Sequence, residues 1–131
     1  MSLSKLKILV NLARIDGDVA DPERKFIITI GQANGIAVDE INPLFNKDHE
    51  IIVPSNLTAD QRFDYILSLV QLMKIDERLY AEEIRYCSQV ATKLGYDQAV
   101  LFELLLHVRP GMEVKELESL KQLAAKYIIP G

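Results

Sequence analysis

Apolar residues recur along this chain at helical spacing, and they do so twice over in the same order. Leu3, Leu6, Leu9, Val10 and Ala13 mark a first helix over about 3–15. Phe26, Ile27, Ile30 and Ala33 mark a second, which Gly35 closes as a left-handed cap. Sixty positions later the pattern returns. Phe63, Ile66, Leu67, Val70 and Met73 line a fourth helix reaching about Ile75, and a fifth runs from about Glu82 to Leu94, closed by Gly95. Superposing 12–41 on 72–101 matches Leu12 with Leu72, Ile15 with Ile75, Asp16 with Asp76, Glu23 with Glu83 and Gly35 with Gly95. Arg14/Lys74, Val19/Leu79, Phe26/Tyr86, Ile30/Val90 and Ile41/Leu101 match in kind. Amphipathic helices share apolar positions readily; the shared Asp, Glu and Gly make this a degenerate internal repeat.

Local signals place the remaining elements. Asp21-Pro22 reads as an N-cap followed by proline in the first helical position, where no N–H is needed. The connecting segment 42–57 is the least regular. A short third helix is expected over Asp39–Asn46, with Pro43 in its first turn or interrupting it. His49–Pro54 is expected to run extended over the core. Thr58 and Gln61 have the form of a capping box. Asp97 is expected to cap a sixth helix over about 98–108. Arg109-Pro110-Gly111 breaks the chain before a seventh over about 113–127, with Val114, Leu117, Leu120 and Ala124 at helical spacing. No stretch alternates as a strand would. The expected fold is a compact all-α bundle of about seven helices in one domain, 1–131, built from two helix–acidic turn–helix halves related by a pseudo-two-fold. Each half leaves apolar stripes uncovered, so the two pairs are expected to share a core closed by the seventh helix.

Composition narrows the function. The chain has 131 residues, 49% hydrophobic and 26% charged, as in globular proteins. Its net charge of −4 and scattered basic residues argue against nucleic acid as a partner. No segment has the apolar run of a membrane span, so direct membrane insertion is not expected. A helical pattern starts at once, without a signal peptide, and a single cysteine forms no internal disulfide; a cytoplasmic location is expected.

Eight of the 19 acidic residues fall in two short windows. Asp16, Asp18, Asp21 and Glu23 occupy the first; Asp76, Glu77, Glu82 and Glu83 occupy the second, with Arg78 the opposing charge. Asp16 and Asp76 end helices, where the macrodipole disfavours an anion by about 0.3–1 kcal/mol, whereas Glu23 and Glu83 begin helices, where it is favoured. Two explanations stand. Each Asp folds back on backbone N–H groups of the turn and sets the angle between helices. Alternatively, a divalent cation takes hard oxygen ligands from Asp16, Asp18 and Glu23, with Asp76 and Glu83 as the second set. The spacing is not that of an EF-hand, whose twelfth loop position would fall on Ile27.

The run Ile15-Asp16-Gly17-Asp18 with Glu23 and then Gly35, returning as Ile75-Asp76 with Glu83 and then Gly95, resembles the tellurite-resistance TerB-like domain. The same domain type is attached to some membrane-anchored J-domain co-chaperones. The resemblance spans roughly residues 5–125. It implies a compact helical fold of two pseudo-symmetric halves, and a non-enzymatic bacterial protein linked to stress response, membrane-associated complexes or metal sensing. It implies that Asp16, Glu23, Asp76 and Glu83 are the family's acidic positions. The second copy departs from the pattern with Glu77 in place of Gly and Ala81 in place of Asp21.

Other reactive side chains read as structural. Cys87 aligns with Ile27 and is expected to be a small buried hydrophobe. His107, beside Arg109 near a helix end, complements the dipole. His49 is expected in a solvated loop. Tyr80 and Tyr96 flank turn elements of the second copy, with packing the expected role. Two histidines and one cysteine are a poor zinc set, and no hydrolase, zinc-protease, redox or phosphate-loop motif is present. The expected function is a non-enzymatic interaction or scaffolding module whose acidic turns face a protein partner, with a divalent-metal binder or sensor as the alternative.

Overall fold

The sequence repeat becomes a repeat of helix boundaries. A computed structural model describes residues 3–15, 17–75 and 81–129. Seven α-helices lie among them: α1 Ser4–Ala13, α2 Asp21–Ala33, α3 Val38–Ile41, α4 Ala59–Met73, α5 Ala81–Lys93, α6 Ala99–His107 and α7 Val114–Ala125. A 3₁₀ turn, Asn42–Asn46, continues α3. The ends of α1 and α4, and both ends of α2 and α5, fall at the same positions of the two copies. The described residues form no named strand, and no described helix is long and apolar enough to cross a membrane. The chain is all-α. It divides into two compact units, one ending at Pro54 and the other beginning at Ser55.

Identical chemistry stops α2 and α5. Gly35 and Gly95 take φ of +81° and +91°, a region that costs glycine little. Ile36 N–H donates to Gly31 O at 2.9 Å, and Gly35 N–H to Gln32 O at 3.0 Å. Tyr96 N–H donates to Ala91 O and Gly95 N–H to Thr92 O, both at 3.0 Å. Each is a Schellman motif, and the residue after the glycine, Ile36 or Tyr96, is buried as that motif favours.

In the first unit α2 packs on α1 and α3. Gly31 allows the close approach: a Cβ there would stand 2.5 Å from Ile41 Cδ1 and 3.1 Å from Leu6 Cδ1. Pro43 falls in the first turn of the 3₁₀ segment, so the expected third helix splits in two there. The segment after it belongs to no named element, with Ile51, Val53 and Pro54 half-buried and Ile52 exposed. His49 lies in a loop between exposed Asp48 and Glu50, but is itself half-buried and held in place. Its main chain is clasped by Asn11, whose Nδ2 donates to His49 O at 2.6 Å and whose Oδ1 accepts from His49 N–H at 2.8 Å. Its ring Nε2 lies 2.8 Å from Leu44 O.

In the second unit α6 is central, packing on α4, α5 and α7. The expected Thr58 box starts α4: Gln61 N–H donates to Thr58 Oγ1 at 3.2 Å, and Thr58 N–H to Gln61 Oε1 at 2.8 Å. Asp97 Oδ1 accepts from Ala99 N–H at 2.8 Å, but the N-cap position of α6 falls one residue later than expected, on Gln98, which makes no side-chain cap bond. The tail folds back on its own unit. Asp97 N–H donates to Tyr127 O at 2.7 Å, Ile129 N–H to Gly95 O at 2.8 Å, and Tyr96 and Ile128 form an isolated antiparallel bridge.

The repeat also extends further than its sequence match. Arg14, which ends α1, donates from Nη1 to Phe45 O at 2.5 Å and from Nε to Asp48 Oδ1 at 3.0 Å. Lys74, which ends α4, donates from Nζ to Leu105 O at 3.1 Å and to Val108 O. Phe45 and Leu105 are themselves equivalent positions. In each unit a cation leaving the first helix fastens carbonyls at the end of the third element, groups no helix can satisfy internally. Lys74→Met is expected to lower unfolding stability by about 1–2 kcal/mol in a urea titration, with Arg14→Met comparable and Lys74→Arg retaining most of it. Equal midpoints for wild type and both Met variants would make the latch incidental.

Candidate functional site

The acidic residues do different jobs once placed. Asp21 is not the N-cap of α2. Ala20 occupies that position, Asp21 is the first helical residue and Pro22 the second. Ala20 has no side-chain acceptor, and its own N–H donates instead to Glu23 Oε1 at 3.3 Å. Glu23 therefore reaches back from the third helical position, the carboxylate half of a capping box. Glu83 stands at the same third position of α5. The charge of both glutamates also complements the positive end of each helix.

Exposure separates the set further. Asp18, Asp21 and Glu82 are exposed, whereas Glu23 is half-buried and Glu83 is 8% exposed. Glu83 lies one helical turn from Cys87, which is fully buried. Burial pushes the Cys87 thiol well above its usual range, and the nearby Glu83 charge pushes it the same way. The aligned position, Ile27, is also fully buried, so the expectation of a small packed hydrophobe holds. Tyr96 is buried as well; burial raises its phenol, with Arg62 partly opposing. His107 is exposed at the end of α6.

Asp16, Asp76 and Glu77 lie outside the described residues, as does Tyr80. The cation set proposed from sequence is thus placed only at Asp18, Glu23 and Glu83. Among the described residues, no three His, Cys, Asp or Glu side chains converge as a metal-binding group. The feature that sequence reading missed is the pair of cation latches at Arg14 and Lys74. Their positions aligned in the repeat, but their acceptors are mainly main-chain carbonyls far along the chain.

No family model matches the chain, and no curated protein or solved structure matches it either. The likeness to TerB-like domains rests on the repeated acidic motif.

Proposed function

We propose that this chain is a non-enzymatic interaction module of TerB-like type, which meets a basic protein partner through the exposed acids at the starts of α2 and α5. The observation that carries this reading is the division of labour within the repeat. Glu23 is engaged in starting α2 and Glu83 is turned into buried surroundings, while Asp21 and Glu82, beside them in the same first turns, are exposed. Carboxylates held on rigid helix starts favour selection of partners by charge. Asp18, exposed in the loop before α2, extends the first acidic surface.

Two further features support a binding rather than a catalytic role. The single thiol is sequestered, and the ring of His49 is engaged with a main-chain carbonyl. A cation at the first turn would have to share Glu23, whose Oε1 accepts from the Ala20 N–H.

The test is affinity capture from native cells with the tagged full chain, comparing wild type with a D18K/D21K/E82K variant. Proteins retained by wild type are expected to be lost from the variant and to elute from wild type as salt is raised. Capture that is identical for both chains, or insensitive to salt, refutes an acidic docking surface.

A further inference from the structure

A second surface carries the opposite charge preference. On α7, Glu116, Ser119, Leu120, Leu123 and Lys126 recur at helical spacing, so one face presents them along about 15 Å of axis. Together with the connection from α6, this face walls an open groove of about 580 Å³. Its floor is apolar: Leu120 is 4% exposed, and Met112 and Leu123 are half-buried. Its rim carries His107, Arg109 and Lys126. The acid lining the groove, Glu116, is ion-paired with Arg109. The lining is thus net basic on a chain whose net charge is −4.

The geometry points to this groove as the docking site for an acidic amphipathic helix of a partner protein. The groove matches about three helical turns in length, and an apolar floor with polar ends accepts side chains spaced one turn apart. Met112 supplies an adaptable wall for such side chains. Arg109 at one end can bind a carboxylate, already pairing through Nη2 with Glu116 Oε2, and Lys126 supplies a point charge at the other. A carboxylate of the partner would compete with Glu116 for Arg109. This surface is distinct from the acidic helix starts, and either can hold without the other.

The test is selection of a random peptide library displayed on phage against the folded full chain, followed by titration of the enriched peptides into ¹⁵N-labelled protein. Enriched sequences are expected to carry Asp or Glu alongside apolar residues spaced one helical turn apart. They are expected to shift the amides of Met112, Ser119, Leu123 and Lys126, and to lose about tenfold in affinity with Arg109→Gln or Lys126→Glu. Both side chains are at the surface, and an unchanged unfolding midpoint confirms that each variant folds. No enrichment, enriched peptides without acidic residues, or shifts away from α7 would each overturn the proposal. So would affinity unchanged in both variants, or the same amides responding to anionic phosphatidylglycerol vesicles in place of peptide.

Discussion

Truncating Ile41 or Leu101 to alanine is expected to remove about 2–5 kcal/mol of stability, the largest effect of any single change considered for this chain. The two residues are equivalent in the repeat, and both are fully buried. Each loses the transfer energy of its removed methyl and methylene groups, and a cavity remains because the surrounding helices relax incompletely. Ile41, on α3, sits against the notch at Gly31, and its side chain occupies the space that a Cβ on α2 would take. Leu101 lies on α6, which packs on three other helices. The comparison is Leu106→Ala on the same helix. Leu106 is 77% exposed, and its truncation is expected to cost no more than about 0.5 kcal/mol. Urea unfolding followed by circular dichroism separates the cases. Similar midpoints for L101A and L106A would show that the described packing of α6 is wrong.

The second large effect is a loss of stability in alkali, with Cys87 as its main source. In the unfolded chain a thiol ionises near about pH 8.5 and a phenol near about pH 10. Folding raises both Cys87 and Tyr96, chiefly by burial. Between its unfolded and folded values, the native chain holds a proton that the unfolded chain has released, so stability falls as pH rises. The contribution of Cys87 is therefore intact below about pH 8.5 and declines by about 1.4 kcal/mol per pH unit above it, about 2–3 kcal/mol by pH 10.5. Tyr96 adds to the decline from about pH 10. Replacing Cys87 by alanine is expected to flatten the profile between pH 8.5 and 10 while lowering stability at neutral pH. Urea midpoints measured across pH 7–10.5 decide it. Parallel profiles for the two chains would mean that the thiol is not buried as described.

The acidic windows carry less information than their density suggests. The eight acids gather in two turns, but those described fall into two groups with different causes. Glu23 is explained by local helix chemistry, and Glu83 shares its position in the first turn. Asp18, Asp21 and Glu82 are exposed, and the proposed partner surface is drawn from them.

Wherever a signal is local, the sequence determined the outcome. The glycines at 35 and 95 stop their helices through a backbone angle that other residues adopt at a cost, and Thr58 with Gln61 starts α4 through bonds spanning three residues. Helical periodicity was enough for the long helices and for the burial of Ile27, and the repeat carried that burial over to Cys87. Asp21 misled because a preferred capping residue sat beside proline, while Glu23 reaching back to Ala20 supplied a competing start one residue earlier. Tertiary structure decided what Arg14 and Lys74 hold, because their partners lie 31 to 34 positions away and most are carbonyl oxygens. Every residue carries that carbonyl, so the acceptor leaves no mark in the sequence. The groove along α7 is nearer the local case, since its lining falls between His107 and Lys126; tertiary structure decides that the connection after α6 turns back and sets Arg109 beside Glu116.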